Sequence, residues 1–113
     1  MRTIALEVHC LTPELRDLLG SQIHPYYAVH RWPPPLEKRL MDIGEGRIAE
    51  MDAQGIDMQV LSSAQPGLEH SRADKAVPVA KAFNDRVAEA INDHPTRFAA
   101  FAALPRATQH QAA

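Results

Sequence analysis

Three segments of the chain have the apolar pattern of β-strands. In the first, residues 3–9, apolar and polar residues alternate, so the side chains divide between two faces. One face carries Ile4, Leu6 and Val8, and the other carries Ala5, Glu7 and His9. The second segment, residues 56–62, and the third, residues 97–104, are short apolar runs bounded by turn-forming residues. The pattern therefore predicts three strands, and the apolar face of the first is expected to meet helices.

Two helices are predicted between the first and second strands. The first begins after Thr12, which can cap it, has Pro13 at its first position and closes at Gly20. The second covers residues 36–53, is weakened in its middle by two glycines, and is followed by Gly55 where a C-terminal cap belongs. Both helices belong to the connection between the first two strands.

A third helix is predicted over residues 74–94, between the second and third strands. Its apolar residues recur every three or four positions, opposite a charged face. The apolar positions are Val77, Ala80, Phe83, Val87 and Ile91. Pro78 is expected in the first turn of this helix, where its missing amide hydrogen costs least.

The remaining segments are predicted to lack regular structure. Residues 21–35 form a proline-rich loop, residues 65–67 a turn, and residues 106–113 a disordered tail after a strand that ends at Pro105. The order strand, helices, strand, helix, strand calls for parallel strands joined by right-handed crossovers. A parallel sheet of three strands has two unpaired edges, so we expect the chain to be part of a larger sheet.

Composition narrows the possible functions. Twelve basic and fourteen acidic residues among 113, with no run of like charge, argue against binding to nucleic acid. No apolar run approaches the roughly 20 residues of a membrane span, and no secretory signal opens the sequence. The single cysteine, Cys10, excludes an internal disulfide and a cysteine-only zinc site. We therefore predict a cytoplasmic protein whose metal ligands, if any, are His, Asp or Glu.

Glu7 and His9 are the candidate metal ligands. They are two residues apart on the first strand, so their side chains leave the same face about 7 Å apart and can reach one ion. A carboxylate and an imidazole together suit zinc, manganese or another divalent ion. The alternative is a polar strand end with no ligand role, because the Glu-x-His pattern also arises by chance and two ligands do not complete a site.

The other reactive side chains have structural explanations. Cys10 follows His9 directly and so points to the opposite face, which makes it a small buried hydrophobe rather than a nucleophile activated by that histidine. Ser62 ends the second strand and either contacts a substrate or closes the backbone turn. His94 is expected at a helix C-terminus, where it suits the helix dipole. The histidines at 24, 30, 70 and 110 are interpreted as solvated.

Four segments together resemble one enzyme family. They are residues 4–9, residues 51–62 with the Pro-Gly turn after them, the Asn-Asp pair at 84–85, and residues 95–105. In this order they are similar to the amino-terminal third of the amidohydrolase-related metal-dependent decarboxylases. The resemblance implies an α/β fold, namely the first three parallel strands of a (β/α)8 barrel, with residues 1–113 as the amino-terminal fragment. It also implies a divalent metal, zinc or manganese, at the carboxyl ends of the strands.

The resemblance also implies roles for individual residues. Glu7 and His9 match the first-strand ligand pair of the family, and a glutamate in first place resembles the decarboxylases of aromatic acids more than the hydrolytic relatives. Further ligands and the catalytic aspartate come from later strands, for which this sequence has no counterpart. The leading hypothesis is therefore a fragment of a decarboxylase of aromatic carboxylic acids, inactive alone, with Ser62 near the substrate.

Three alternatives stay open at this point. The parent enzyme could be a metal-dependent hydrolase of the same family. The chain could instead be a non-catalytic remnant that acts as an interaction module and forms a homo-oligomer through its unpaired sheet edges. In the third alternative, it is a small α/β domain in which Glu7 and His9 bind nothing.

Overall fold

The computed structural model describes residues 2–21, 33–64 and 73–104, which contain three strands and four helices. The elements are β1 (Ile4–Cys10), α1 (Pro13–Ser21), α2 (Pro34–Met41), α3 (Glu45–Gln54), β2 (Met58–Ser63), α4 (Ala73–Asp93) and β3 (Phe98–Ala100). This order confirms the predicted succession of strands and helices. The predicted turn at 65–67, the strand end at Pro105, the tail at 106–113 and most of the predicted loop lie outside the described residues, as do the histidines at 24, 30, 70 and 110.

The three strands form one parallel sheet in the order β1-β2-β3. Leu61 of β2 and Phe98 of β3 are buried on the face that meets the helices, together with Cys10 of β1. Helices α1 and α4 contact each other and supply most of the remaining core side chains. The opposite face includes Met58 and Val60, which are partly exposed. The arrangement is that of the first strands of a (β/α)8 barrel, with the helices on one side of the sheet.

The strict alternation predicted for β1 is wrong. Ile4 is 47% exposed and Leu6 is 69% exposed, so these side chains do not join the core. The physical reason is an irregularity in register, since Ala5 pairs with Gln59 but the next pair is Val8 with Leu61. One extra residue in β1 interrupts the two-residue period, as a β-bulge does. Val8 consequently packs against the core while Ile4 does not.

Helix α1 agrees with the prediction at its amino end. The Thr12 hydroxyl accepts a hydrogen bond from the Leu15 amide at 3.2 Å, which is the expected N-terminal cap. Pro13 occupies the first helical position, and the helix runs to Ser21, one residue beyond the predicted end. The cap is buried, so it also anchors the chain where it leaves β1.

The single helix predicted over 36–53 is two helices. Helix α2 starts at Pro34, because proline is well suited to the first positions of a helix, so this part of the proline run is not a loop. The break falls after Met41, where the Asp42 carboxylate accepts a hydrogen bond from the Gly44 amide at 3.0 Å. Gly55 ends α3 in the left-handed conformation, with φ of 72°, which confirms the predicted cap.

Helix α4 differs from the prediction at its amino end. It starts at Ala73, so Pro78 lies inside the helix beyond the first turn. Ala76 is fully buried whereas Val77 is 44% exposed, which shifts the buried stripe by one residue in this part of the helix. Further along, Phe83 and Val87 are buried as predicted.

The third strand is shorter than predicted, because the backbone after Ala100 turns to another partner. The Phe101 amide still donates to Leu61 of β2 at 2.9 Å. At Ala103, however, the backbone pairs with the Asn84 side chain of α4. The Asn84 oxygen accepts a hydrogen bond from the Ala103 amide at 2.7 Å, and the Asn84 nitrogen donates one to the Ala103 carbonyl at 3.1 Å. The side-chain amide thus replaces a neighbouring strand and fixes the path of residues 101–104.

Candidate metal site at the carboxyl ends of the strands

His9 and Ser62 lie side by side at the carboxyl ends of β1 and β2. The two residues are partners in the parallel register, and Cys10 and Ser63 are the next pair. His9 is exposed and Ser62 is partly exposed. Because partners in a parallel register share a face of the sheet, the structure brings these two predicted site residues together. Glu7 belongs to the same strand, but its side chain lies outside the described residues.

The register irregularity of β1 falls between Ala5 and Val8 and therefore includes Glu7. Bulges of this kind occur next to active sites, where they redirect a side chain. That Glu7 and His9 point to the same ion consequently stays a prediction. The described part of the chain contains no cluster of three His, Cys, Asp or Glu side chains that could hold a metal. His9 nonetheless fits a metal in its chemistry, since it offers an accessible imidazole at the strand end.

Cys10 is the small buried hydrophobe that the sequence predicts. Its side chain is almost fully buried, and this burial raises the pKa of the thiol to about 11 although Arg47 and Arg86 act in the opposite direction. A thiol with so high a pKa stays protonated at neutral pH, and only the thiolate is a nucleophile or a metal ligand. Cys10 therefore contributes packing rather than chemistry.

Arg47 is a residue near the site that the sequence analysis missed. It lies in α3, is only 9% exposed, and is the one charged side chain among the buried residues of the described segments. Burial lowers the pKa of its guanidinium. The one signal in the sequence is the four-residue spacing between Arg47 and Met51, which is itself apolar. That spacing places the arginine on the apolar face of its helix.

A second network, of hydrogen bonds from Arg97, lies at the opposite end of the sheet, where the strands begin. Arg97 donates to the Asp57 carbonyl at 2.8 Å, to the Ile56 carbonyl at 3.2 Å and to the Asp52 carboxylate at 2.6 Å. His94 follows α4 as predicted, but its ring packs edge-on against Phe98 at 5.9 Å between centroids. These contacts join β3 to the start of β2 and lie away from His9.

Comparison with characterised proteins finds decarboxylases among the relatives of this chain. No family model matches the chain. The gamma-resorcylate decarboxylase of Rhizobium radiobacter is 38% identical over 104 residues, which cover 90% of this chain and 30% of that enzyme. The chain thus spans about a third of the length of this relative.

No helix within the described segments is both long enough and apolar enough to cross a membrane.

Solved structures agree with the sequence comparison. The 5-carboxyvanillate decarboxylase of Novosphingobium aromaticivorans, crystallised with manganese and 4-hydroxy-3-methoxy-5-nitrobenzoic acid, superposes with a TM-score of 0.79 at 30% identity. The match covers 91% of this chain and 34% of that one. The dihydroxybenzoic acid decarboxylase of Polaromonas sp. JS666, with manganese and 2-nitroresorcinol, gives a TM-score of 0.71 at 37% identity over 94% of this chain and 31% of that one. The chain is therefore similar, over about a third of their length, to the amidohydrolase-fold decarboxylases, as its sequence pattern predicts.

Proposed function

We propose that this chain supplies the amino-terminal, metal-holding part of a divalent-metal-dependent decarboxylase of aromatic carboxylic acids. The observation that carries the proposal is the exposed His9 at the carboxyl end of β1, in register with Ser62, in a sheet that superposes on two manganese-containing decarboxylases. In parallel α/β barrels the catalytic residues lie at this end of the strands. The position and the chemistry of His9 therefore agree with the proposed role.

Glu7 and His9 would hold the metal, and Ser62 would contact the substrate beside it. When bound, manganese or zinc supplies a Lewis acid and a template for the carboxylate of the substrate. The reaction breaks the bond between ring carbon and carboxylate, releases carbon dioxide and places a proton on the ring. The acid that delivers this proton is proposed to come from a later strand of the complete enzyme. The single, buried Cys10 agrees with the cytoplasmic location that we propose.

A chimaeric enzyme tests the proposed function. The aligned segment, 90% of this chain, would replace its counterpart in the Rhizobium radiobacter decarboxylase. We expect the chimaera to release carbon dioxide from gamma-resorcylate in the presence of Mn²⁺. In this chimaera, His9→Gln and Glu7→Gln are each expected to lower kcat/KM by a factor of about 100, as the loss of one group that stabilises reacting charge does. The 113-residue chain alone is expected to release no carbon dioxide.

Glu89→Gln is the matched control, because Glu89 is an exposed carboxylate on α4 and takes no part in the proposed site. Its chimaera should keep the activity of the parent chimaera. Circular dichroism and metal content establish that each protein is folded and loaded. A folded, manganese-loaded chimaera without activity, or one that stays active after His9→Gln, would contradict the proposal.

A second candidate function is that of an interaction module. Large apolar side chains are exposed on both outer strands or next to them, at Ile4 and Leu6 on one side and at Phe101 and Leu104 on the other. Exposed apolar strands bind further strands, including those of a second copy. If the isolated chain is such a module, light scattering will give a mass that rises from monomer to oligomer with protein concentration. A monomer at all concentrations would exclude this function and leave the decarboxylase proposal unaffected.

A further inference from the structure

The guanidinium of Arg47 is bonded to the carboxyl end of α2. Its Nε donates to the Asp42 carbonyl at 2.6 Å, and its Nη2 donates to the carbonyls of Arg39 at 3.1 Å and Leu40 at 3.3 Å. The last carbonyls of a helix have no partner within the helix, so these bonds satisfy them. Its remaining terminal nitrogen donates to the Gln59 side chain of β2 at 3.3 Å. One buried side chain thus joins α2 to the sheet.

The carbonyl of Leu40 also receives a bond from the end of β1. The Leu11 amide, one residue beyond the strand, donates to this carbonyl at 2.9 Å. Leu11 follows Cys10 and lies two residues after His9. The Leu40 carbonyl therefore accepts hydrogen bonds both from Arg47 and from the residue that follows β1. His9 and Arg47 also border one surface concavity, whose lining includes Val8, Leu40 and Gln59.

We propose that Arg47 is a positioning residue for the carboxyl end of β1, and that it holds His9 where His9 can meet a metal ion. The proposal rests on the proposed function of His9. Arg47 itself touches neither metal nor substrate. It acts through the Leu40 carbonyl, which the Leu11 amide also uses, and through Gln59, whose strand pairs with β1. If α2 loosens from β1, the strand end that carries His9 loses its support.

Lysine cannot replace the arginine in this arrangement. The planar guanidinium presents donors in a rigid fork and reaches four acceptors on two elements, whereas an ammonium group is a single point. Arg47→Lys therefore keeps the charge and most of the side-chain length but loses the fork. Partners that orient a metal ligand typically change metal affinity by a factor of about 10 to 100 when they are replaced. We expect Arg47→Lys to weaken Mn²⁺ binding at His9 by about tenfold or more.

The experiment is a titration of the 113-residue chain with Mn²⁺, followed by paramagnetic broadening of NMR signals. In the wild-type chain the His9 ring and the Ser62 amide should broaden first, and His9→Gln should abolish that response. Arg97→Lys is the matched control, because Arg97 also bonds three acceptors but lies at the amino-terminal edge of the sheet. It should leave Mn²⁺ binding within about twofold of the wild type even if it lowers stability as much as Arg47→Lys. Equal binding by the two lysine variants would overturn the proposal.

Hydrogen exchange is a second test of the positioning role of Arg47, and it does not depend on metal binding. If the wild-type chain does not bind Mn²⁺ at His9, the metal site is tested in the chimaera, which has the later strands, and the role of Arg47 is decided by hydrogen exchange at the Leu11 amide. This amide should exchange at least tenfold faster in Arg47→Lys than in Arg97→Lys; equal exchange overturns the positioning role. Should Arg47→Lys not fold, the wild-type chain is used, and the Leu11 amide and the Arg47 Nε proton should have the same protection factor, which is the slowing of exchange relative to the intrinsic rate of each group. A protected Leu11 amide beside a rapidly exchanging Nε proton would refute the coupling.

Discussion

Replacing Phe98 with alanine is expected to lower the free energy of unfolding by about 4 kcal/mol, the usual cost of removing a phenylalanine from a core. Phe98 is 1% exposed, lies in register with Gln59 of β2 and packs against the His94 ring. Its loss would leave a cavity where β3 meets the helices. Since domains are stable by only about 5–15 kcal/mol, this loss is a large fraction of the total stability. Urea denaturation followed by circular dichroism measures the change.

Phe101→Ala provides the control for this prediction. Phe101 is the same residue type three positions later, but its side chain is 57% exposed. Removing an exposed side chain usually changes stability by no more than about 0.5 kcal/mol. Similar losses in the two variants would show that the buried side of β3 has been assigned wrongly.

Alkaline pH is expected to destabilise the protein through Cys10. Burial raises the pKa of this thiol from an ordinary value of 9.0 to about 11 in the folded protein. The unfolded chain therefore releases the proton first as the pH rises. The stability that the neutral thiol contributes is complete below pH 9 and is lost as the pH rises through 11. A difference of two pKa units corresponds to about 3 kcal/mol, which is the upper limit of the loss.

Cys10→Ala isolates this effect from other alkaline titrations. The variant lacks the thiol but keeps the remaining ionisable groups of the chain. We expect the difference in free energy of unfolding between wild type and variant to be constant from pH 7 to pH 8.5 and to shrink by up to about 3 kcal/mol near pH 11. Chemical denaturation at each pH provides the values. A difference that does not change with pH would mean that the folded protein does not hold the thiol neutral.

The sequence pattern predicts the elements well but misplaces individual side chains. The period of apolar residues located β1 and α4, because burial on one face controls that period. It failed at Ile4 and Leu6, since a change of register against β2 is a property of the pair of strands and not of β1 alone. It also failed at Asp42, where a turn formed by one side chain divides what the pattern shows as one helix.

The candidate site was predictable in part. The Glu-x-His pattern identifies His9 as a candidate ligand, whereas its pairing with Ser62 in the parallel register is known only from the structure. Arg47 was missed because an arginine in a helix is usually solvated, and because its four acceptors lie at the end of α2, in residues 39–42, and on Gln59 of β2. Such a contact depends on how two elements dock. The spacing between Arg47 and Met51 indicates the helix face but not these acceptors.

The open sheet has a consequence for the synthesis of its longer relatives. At about 5–20 residues per second, a ribosome needs on the order of tens of seconds to add the further two-thirds of such a chain. During that interval the equivalents of β1 and β3 have already left the exit tunnel, while the strands that will pair with them do not yet exist. In this chain the corresponding edges carry Leu6 and Phe101, both more than half exposed. During synthesis, enzymes of this shape consequently expose apolar side chains on unpaired edge strands, to which chaperones can bind.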